Sequence, residues 1–88
     1  MKPPYRIKHK VTGLYYQPLV NGNNLSKTGK VYLNGMDVLN GTDNYIFISF
    51  NPSSKLYKDY KLFFLNGGCN GRLFTCRVLK TEFKKEEL

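Results

Sequence analysis

Basic and aromatic side chains in the first third of the chain have the spacing of a phosphate-binding surface. Residues 5–10 alternate between apolar and basic types, so an extended strand places three bases on one face. Two lysines and a tyrosine follow in residues 27–32. Lysine and arginine neutralise phosphates, and aromatic rings stack on unpaired bases. The residues predicted to bind nucleic acid or an acidic partner are Arg6, Lys8, Lys10, Tyr15, Lys27, Lys30 and Tyr32.

Net charge supports this interpretation. The chain carries a formal net charge of +8, and residues 1–32 hold six basic and no acidic side chains. With no acid nearby in sequence, the field of these bases is expected to point outward, toward nucleic acid or an acidic protein surface. Two alternatives remain open at this stage. The charge can serve solubility alone, and the tyrosines can form the amphipathic rim of a core.

Catalytic and metal-binding groups are scarce. His9 is the only histidine, and a general base needs a nucleophile and an orienting group beside it. We favour a half-buried strand residue at this position. Only six carboxylates are present, three of them in residues 81–88, and Cys69 and Cys76 do not form a Cys-x-x-Cys pair. We therefore predict no enzyme, no metal site and no cofactor.

The glycine-containing loops are weak phosphate-binding candidates. Gly29-Lys30 lacks the spaced glycine and the Gly-Lys-Ser/Thr ending of a phosphate loop. The run Asn66–Arg72 offers backbone N–H groups to an anion, but such a run is more often a flexible hairpin end.

Asn-Gly dipeptides punctuate the chain and predict a β-rich fold. Asn and Gly tolerate positive φ, which the type I′ hairpin turn requires. The five copies are Asn21-Gly22, Asn34-Gly35, Asn40-Gly41, Asn66-Gly67 and Asn70-Gly71. We predict strands at Arg6–Lys10, Gly13–Gln17, Lys30–Asn34, Tyr45–Phe50, Tyr60–Leu65 and Leu73–Leu79. The predicted fold is mainly β: a five- to six-stranded antiparallel rolled sheet or small barrel with at most one short helix.

The connections between these strands carry further predictions. Pro18 is expected to close the second strand, and 19–29 to form a long polar loop. Residues 45–50 are apolar on both faces, which predicts a central strand covered on both sides. Residues 56–64 fit either a helix or a strand, and we favour a helical turn at 54–59 that leads into a strand.

The chain is expected to be a single domain, 1–88, with a charged, solvated tail at 80–88 that is helical after Thr81. It has no run of the ~18 apolar residues that a membrane span needs and no apolar signal core near its start. We expect a cytoplasmic protein that binds no membrane. In that compartment Cys69 and Cys76 are expected to be reduced.

The first third of the sequence resembles a motif in small, uncharacterised proteins of bacteriophages and prophages. The matching segments are Tyr5-Arg6-Ile7-Lys8-His9-Lys10, Thr12-Gly13-Leu14-Tyr15-Tyr16-Gln17-Pro18, Asn24-Leu25-Ser26-Lys27 and Gly29-Lys30-Val31-Tyr32. The motif implies no catalytic role. In size, compactness and lack of an active site the chain also resembles anti-CRISPR proteins. That resemblance implies a partner: an RNA-guided nuclease such as a type VI RNase, or its guide RNA.

Together these observations predict a non-enzymatic inhibitor of a nucleic-acid-directed host defence that acts in the host bacterial cell. One alternative is a stand-alone module that binds RNA or single-stranded DNA. Another is a small structural protein of the virion.

Overall fold

The structure is a computed structural model, and it describes residues 3–35, 37–60, 68–70 and 73–88. The described elements are β1 (Tyr5–His9), β2 (Tyr15–Val20), β3 (Asn23–Ser26), β4 (Tyr45–Phe50), α1 (Lys55–Tyr60), β5 (Gly68–Asn70), β6 (Leu73–Leu79) and β7 (Phe83–Glu87). Two 3-10 turns, Val38–Asn40 and Lys80–Glu82, lie between strands. The predicted mainly β fold with one short helix is confirmed.

The strands form two antiparallel sheets. The first has the order β3-β2-β1-β7 and the second the order β4-β6-β5. In the described part neither sheet closes on itself, so the barrel alternative is wrong. The sheets meet at β3 and β4, which are connected by hydrogen bonds to asparagine side chains and not by a backbone ladder. The backbone N–H of Ser49 donates to Asn24 Oδ1 (2.9 Å), and that of Asn51 to Asn23 Oδ1 (3.0 Å).

The core lies between the inward faces of the two sheets. Alternation along β1 buries Tyr5, Ile7 and His9, as the sequence pattern predicts. The buried apolar residues are Tyr5, Ile7, Leu14, Leu25, Tyr32, Ile46, Ile48, Phe50, Cys76, Val78 and Phe83. Burial raises the pKa of the Cys76 thiol to about 11. The side chain of Cys69 lies outside the described part, so the predicted reduced pair stays a prediction.

The second sheet contains the predicted strands β4 and β6 and also β5, which was expected to be part of a flexible hairpin end, and within the described residues β4 is covered on one face only. β4 and β6 have the predicted bounds, and β4 pairs along its whole length with residues 74–79 of β6. Ile46, Ile48 and Phe50 face the core, whereas Phe47 is 58 % exposed. The prediction of a doubly covered β4 is therefore wrong, because β4 is an edge strand of a sheet that packs through its inward face.

The predicted loop 19–29 is largely a hairpin. Pro18 does not end β2, which runs on to Val20 across an irregularity in its pairing with β3 between Tyr16 and Val20. An interrupted ladder tolerates a residue that lacks an N–H. Asn21 (φ 52°) and Gly22 (φ 83°) then form the tight turn that their types predict.

Other predictions about turns and strands are wrong or untested. Residues 30–34 do not form a strand, and only Tyr32 makes an isolated bridge, to Tyr5. Gly41 has φ −72°, so Asn40-Gly41 is not a type I′ turn. Tyr60, with which the predicted strand at 60–65 begins, is the last residue of α1, whereas residues 61–65 and the turns that need Gly67 and Gly71 lie outside the described residues.

The helical turn predicted at 54–59 is confirmed as α1. The Ser54 hydroxyl accepts a hydrogen bond from the Tyr57 N–H (3.2 Å), which satisfies a donor at the start of the helix.

The C-terminal residues form a strand rather than a solvated tail. β7 pairs with β1 from Tyr5↔Glu87 to His9↔Phe83. Phe83 is buried and its ring lies 4.9 Å from that of His9, which anchors the strand. The charged composition misled the prediction, because a strand with one outward face tolerates charges there while its backbone completes the edge of β1.

Gly29 gives a test of the packing between β2 and the loop after β3. Its φ is +66°, and a Cβ there would lie 2.3 Å from Tyr15 Cβ and 2.9 Å from the Tyr16 carbonyl oxygen. We expect Gly29→Ala to lower the free energy of unfolding by about 2–4 kcal/mol, which combines the positive-φ penalty with overpacking. Urea denaturation measures this loss.

Gly13 is the matched control. Its φ is +77°, but an added Cβ would meet nothing within 4 Å. Gly13→Ala should therefore cost only the backbone penalty, about 1 kcal/mol. Equal losses for the two variants would contradict the close approach at Gly29.

Candidate nucleic-acid interface

Except for Tyr32, the predicted binding residues lie on or beside the outward face of the first sheet. Arg6 and Lys8 point away from the core because their neighbours on β1 are buried. The register Lys8↔Tyr15 brings Tyr15 beside them, and β7 adds Lys84 opposite Lys8. β1 ends at His9, so Lys10 lies in the following turn, where it is exposed.

Glu86 is the partner that sequence reasoning missed. It lies opposite Arg6 in the β1–β7 ladder. Its carboxylate lies 3.9 Å from Arg6 Nη2 and 3.7 Å from Lys8 Nζ, and it accepts a hydrogen bond from the Tyr15 hydroxyl (2.6 Å). This hydrogen bond, with the nearby lysines and arginine, lowers the pKa of Glu86. The prediction of bases without an acidic partner is wrong for Arg6 and Lys8.

Arg6 is held in place by three neighbours. Its Nη1 donates to the Thr28 carbonyl oxygen (3.3 Å), and its guanidinium carbon lies 4.1 Å from the centroid of the Tyr15 ring. Together with Glu86 these contacts join β1, β2, β7 and the loop after β3. Arg6 therefore positions the loop that carries Lys27 and Lys30.

The aromatic rings predicted at this interface are used inside the protein. Tyr32 is buried and stacks on Tyr5, with ring centroids 5.7 Å apart. Tyr15 is half-buried under Arg6 and Lys8. For these two rings the core-rim interpretation fits the geometry better than base stacking.

The other three lysines predicted to bind a partner, Lys10, Lys27 and Lys30, are exposed. In residues 3–35, 37–60, 68–70 and 73–88, no ion pair involves Lys10, Lys27 or Lys30. Lys30 Nζ lies 5.2 Å from the centroid of the Tyr32 ring. We use the name basic face for the outward side of the first sheet with the loop beside it, comprising Arg6, Lys8, Lys10, Lys27, Lys30 and Lys84. Glu86 offsets one of these charges, so the basic face keeps a net positive charge.

His9 lies in a hydroxyl–imidazole–carboxylate line. Its Nδ1 lies 2.9 Å from Thr12 Oγ1 and its Nε2 lies 3.0 Å from Glu82 Oε1. Such an order of groups is found in nucleophilic catalysis. The imidazole is only 1 % exposed, however, and the Thr12 hydroxyl also accepts from the Leu14 N–H (3.3 Å). These contacts tie the β1–β2 turn to the C-terminal segment, and the predicted half-buried histidine is fully buried.

A second surface was not predicted. The outward face of the second sheet carries Tyr45 and Phe47 on β4, opposite Leu79 and Arg77 on β6. We name this set of four residues the aromatic face. The sequence contains only a weak signal of this surface, because β4 is apolar on both of its faces and such a pattern predicts a fully buried strand.

A buried carboxylate lies behind the basic face. The Asp37 side chain is inaccessible, and its Oδ2 accepts a hydrogen bond from the Tyr5 hydroxyl and lies 3.3 Å from Lys85 Nζ. Its Oδ1 accepts from the Leu39 N–H (2.7 Å). The pKa of Tyr5 is raised to about 12, chiefly by its hydrogen bond to Asp37.

Within the described ranges no three His, Cys, Asp or Glu side chains are grouped as a metal site would require. No helix in those ranges has the length and apolarity needed to cross a membrane. Comparisons with protein-family models, with curated proteins and with solved structures give no significant match to this chain. The fold and the two outward faces define a small antiparallel β protein with a basic surface.

Proposed function

We propose that the protein is a non-enzymatic, phage- or prophage-derived inhibitor of a nucleic-acid-directed host defence. It docks through the basic face on an RNA-guided nuclease or on its guide RNA, in the cytoplasm of the host cell. The observation that carries the proposal is the exposure of Lys10, Lys27 and Lys30 without ion pairs in the described part of the chain.

The contacts within the basic face divide its residues into two roles. Arg6 and Lys8 are bound to Glu86 and Tyr15, so they fix the shape of the surface. The exposed lysines keep their charge available for phosphates or carboxylates of a partner. A surface held by a sheet and an ion-pair network binds without reorganisation, which lowers the entropic cost of association.

A stand-alone module for RNA or single-stranded DNA is the second candidate. It is favoured by Phe47, an aromatic ring exposed on an antiparallel sheet. A guide-directed RNA cleavage assay separates the two functions, because an inhibitor of the nuclease blocks cleavage, whereas a stand-alone binder shifts bare nucleic acid in a gel but leaves cleavage unchanged.

Charge reversal on the basic face tests the proposal. We expect Lys10→Glu combined with Lys27→Glu to abolish inhibition in a guide-directed RNA cleavage assay, because both lysines are exposed and the substitutions reverse their charge on the proposed docking surface. If the contacts are to phosphate, binding to the nuclease–guide complex should weaken steeply with salt, and each lost contact should reduce the slope of log K against log salt by about 1. This double variant should fold, since exposed substitutions usually change stability by less than ~0.5 kcal/mol each.

Lys55→Glu combined with Lys58→Glu is the matched control. Both lysines are exposed on α1, and this pair changes the net charge by the same amount. Equal loss from the two pairs would mean that the charge acts only as a diffuse field. Full inhibition by the double variant with Lys10→Glu and Lys27→Glu would place the docking surface elsewhere.

A further inference from the structure

We propose that the aromatic face is a stacking site for the unpaired bases of a single-stranded nucleic acid. This inference rests on the proposed function where that function takes the guide RNA as its docking partner, because the ligand of the aromatic face is also a nucleic acid. It assigns the base contact to the second sheet, whereas the proposed function uses the first sheet.

The first support is the position of Phe47. It is 58 % exposed, and its neighbours Ile46 and Ile48 are buried, so its ring stands on a strand that the core holds rigidly. Among the large hydrophobic side chains that are exposed in the described ranges, Phe47 is the one aromatic ring. An aromatic side chain on the open face of an antiparallel sheet is the arrangement on which single-strand binders stack bases.

The second support is the geometry of the groups around that ring. Tyr45 and Phe47 meet with ring centroids 5.4 Å apart and ring planes at 85°. The Arg77 guanidinium carbon lies 5.1 Å from the centroid of the Tyr45 ring. Edge contacts and cation–π contacts of this kind restrict the three side chains. The face is therefore ordered before a ligand arrives.

Charge on the aromatic face selects the ligand class. Arg77 is exposed, and within the described residues no carboxylate forms an ion pair with it. On the same face, the neighbouring row on one side is Tyr45 opposite Leu79 and on the other side Ser49 opposite Thr75, and all four residues are uncharged. The acids nearest to the aromatic face along the chain are Asp43, two residues before Tyr45, and Glu82, three residues after Leu79. A ring beside a free guanidinium suits a base and its phosphate.

A second copy of the chain fits this face less well. Stable protein interfaces use about 20–30 residues a side, far more than this set of four. A two-fold contact centred here would also bring two Arg77 side chains together. Both points favour a nucleic acid strand over self-association.

The test is fluorescence anisotropy with labelled oligouridylate and oligothymidylate of about eight nucleotides, within the ~4–16 that such sites cover. We expect the full chain to bind at least one of them. Phe47→Leu keeps an apolar side chain but removes the ring, so Kd should rise about 5- to 100-fold. Phe47→Trp restores a ring and should bind as well as the original protein. Tighter binding of one oligonucleotide identifies RNA or DNA as the ligand.

Leu88→Ala is the control for apolar exposure, since Leu88 is 59 % exposed and lies at the end of the chain. It should leave Kd unchanged. Stacking does not release counterions, so Phe47→Leu should weaken binding without changing the slope of log K against log salt. The Lys10→Glu and Lys27→Glu pair should reduce that slope by about 2 if those lysines bind phosphates.

The outcomes for the two sheets are distinguishable. Unchanged affinity of a folded Phe47→Leu variant overturns the stacking site and leaves the basic face intact. Unchanged affinity and inhibition with the lysine pair overturns the docking surface and leaves the stacking site intact. Failure of the original protein to bind either oligonucleotide overturns the stacking site. A dimer in analytical ultracentrifugation that Phe47→Leu dissociates would assign the face to self-association and also overturn it.

Discussion

Ile48→Ala is expected to lower the free energy of unfolding by about 2–5 kcal/mol. Ile48 is fully buried on β4, opposite Cys76 of β6, between the two sheets. Truncation removes apolar surface from the core and leaves a cavity. The paired strands cannot move enough to close it. A domain of this size holds roughly 5–10 kcal/mol in total, so the variant should be close to unfolded at room temperature. Urea denaturation followed by circular dichroism measures the change.

Phe47→Ala is the neighbouring control on the same strand. Its ring is exposed, so truncation should cost about 1 kcal/mol or less, which reflects the weaker β-propensity of alanine. The contrast between adjacent positions tests which face of β4 meets the core. A larger loss at Phe47 than at Ile48 would mean that the strand has the opposite face inward.

Asp37→Ala should lower the free energy of unfolding by about 2–4 kcal/mol. The substitution leaves the Tyr5 hydroxyl and the Leu39 N–H without their acceptor and leaves Lys85 without its counter-charge. Lys85 is partly exposed and can be rehydrated, which limits the loss. Asp43→Ala is the control, because Asp43 is exposed and should change stability by less than ~0.5 kcal/mol.

The same variant has a second readout at alkaline pH. The raised pKa of Tyr5 means that the folded state holds the phenolic proton more tightly than the unfolded state. Its stabilising contribution is complete below about pH 10 and is lost as pH rises through about 12. Removing Asp37 should bring the pKa of Tyr5 back toward 10, measured by ultraviolet titration of the phenolate. An unchanged titration would contradict the Tyr5–Asp37 hydrogen bond.

Local patterns were sufficient to predict several elements. The bounds of β4 and β6, the helical turn after Ser54 and the inward row of β1 all follow from the sequence. Each depends on a local signal, which is the run or the spacing of apolar side chains. Such signals act over a few residues, so a short segment of the sequence contains them without its neighbours in the fold.

Contacts between distant segments decided the character of both surfaces. The sequence by itself determined a basic β protein whose first strand carries Arg6 and Lys8 on one face. Only the tertiary structure brought Glu86 to those bases, buried Tyr32 against Tyr5 and left Phe47 exposed. The physical reason is that strand pairing and sheet packing join residues far apart along the chain. Alternation states which side chains share a face, but the neighbouring strand or sheet decides whether that face is paired, covered or open.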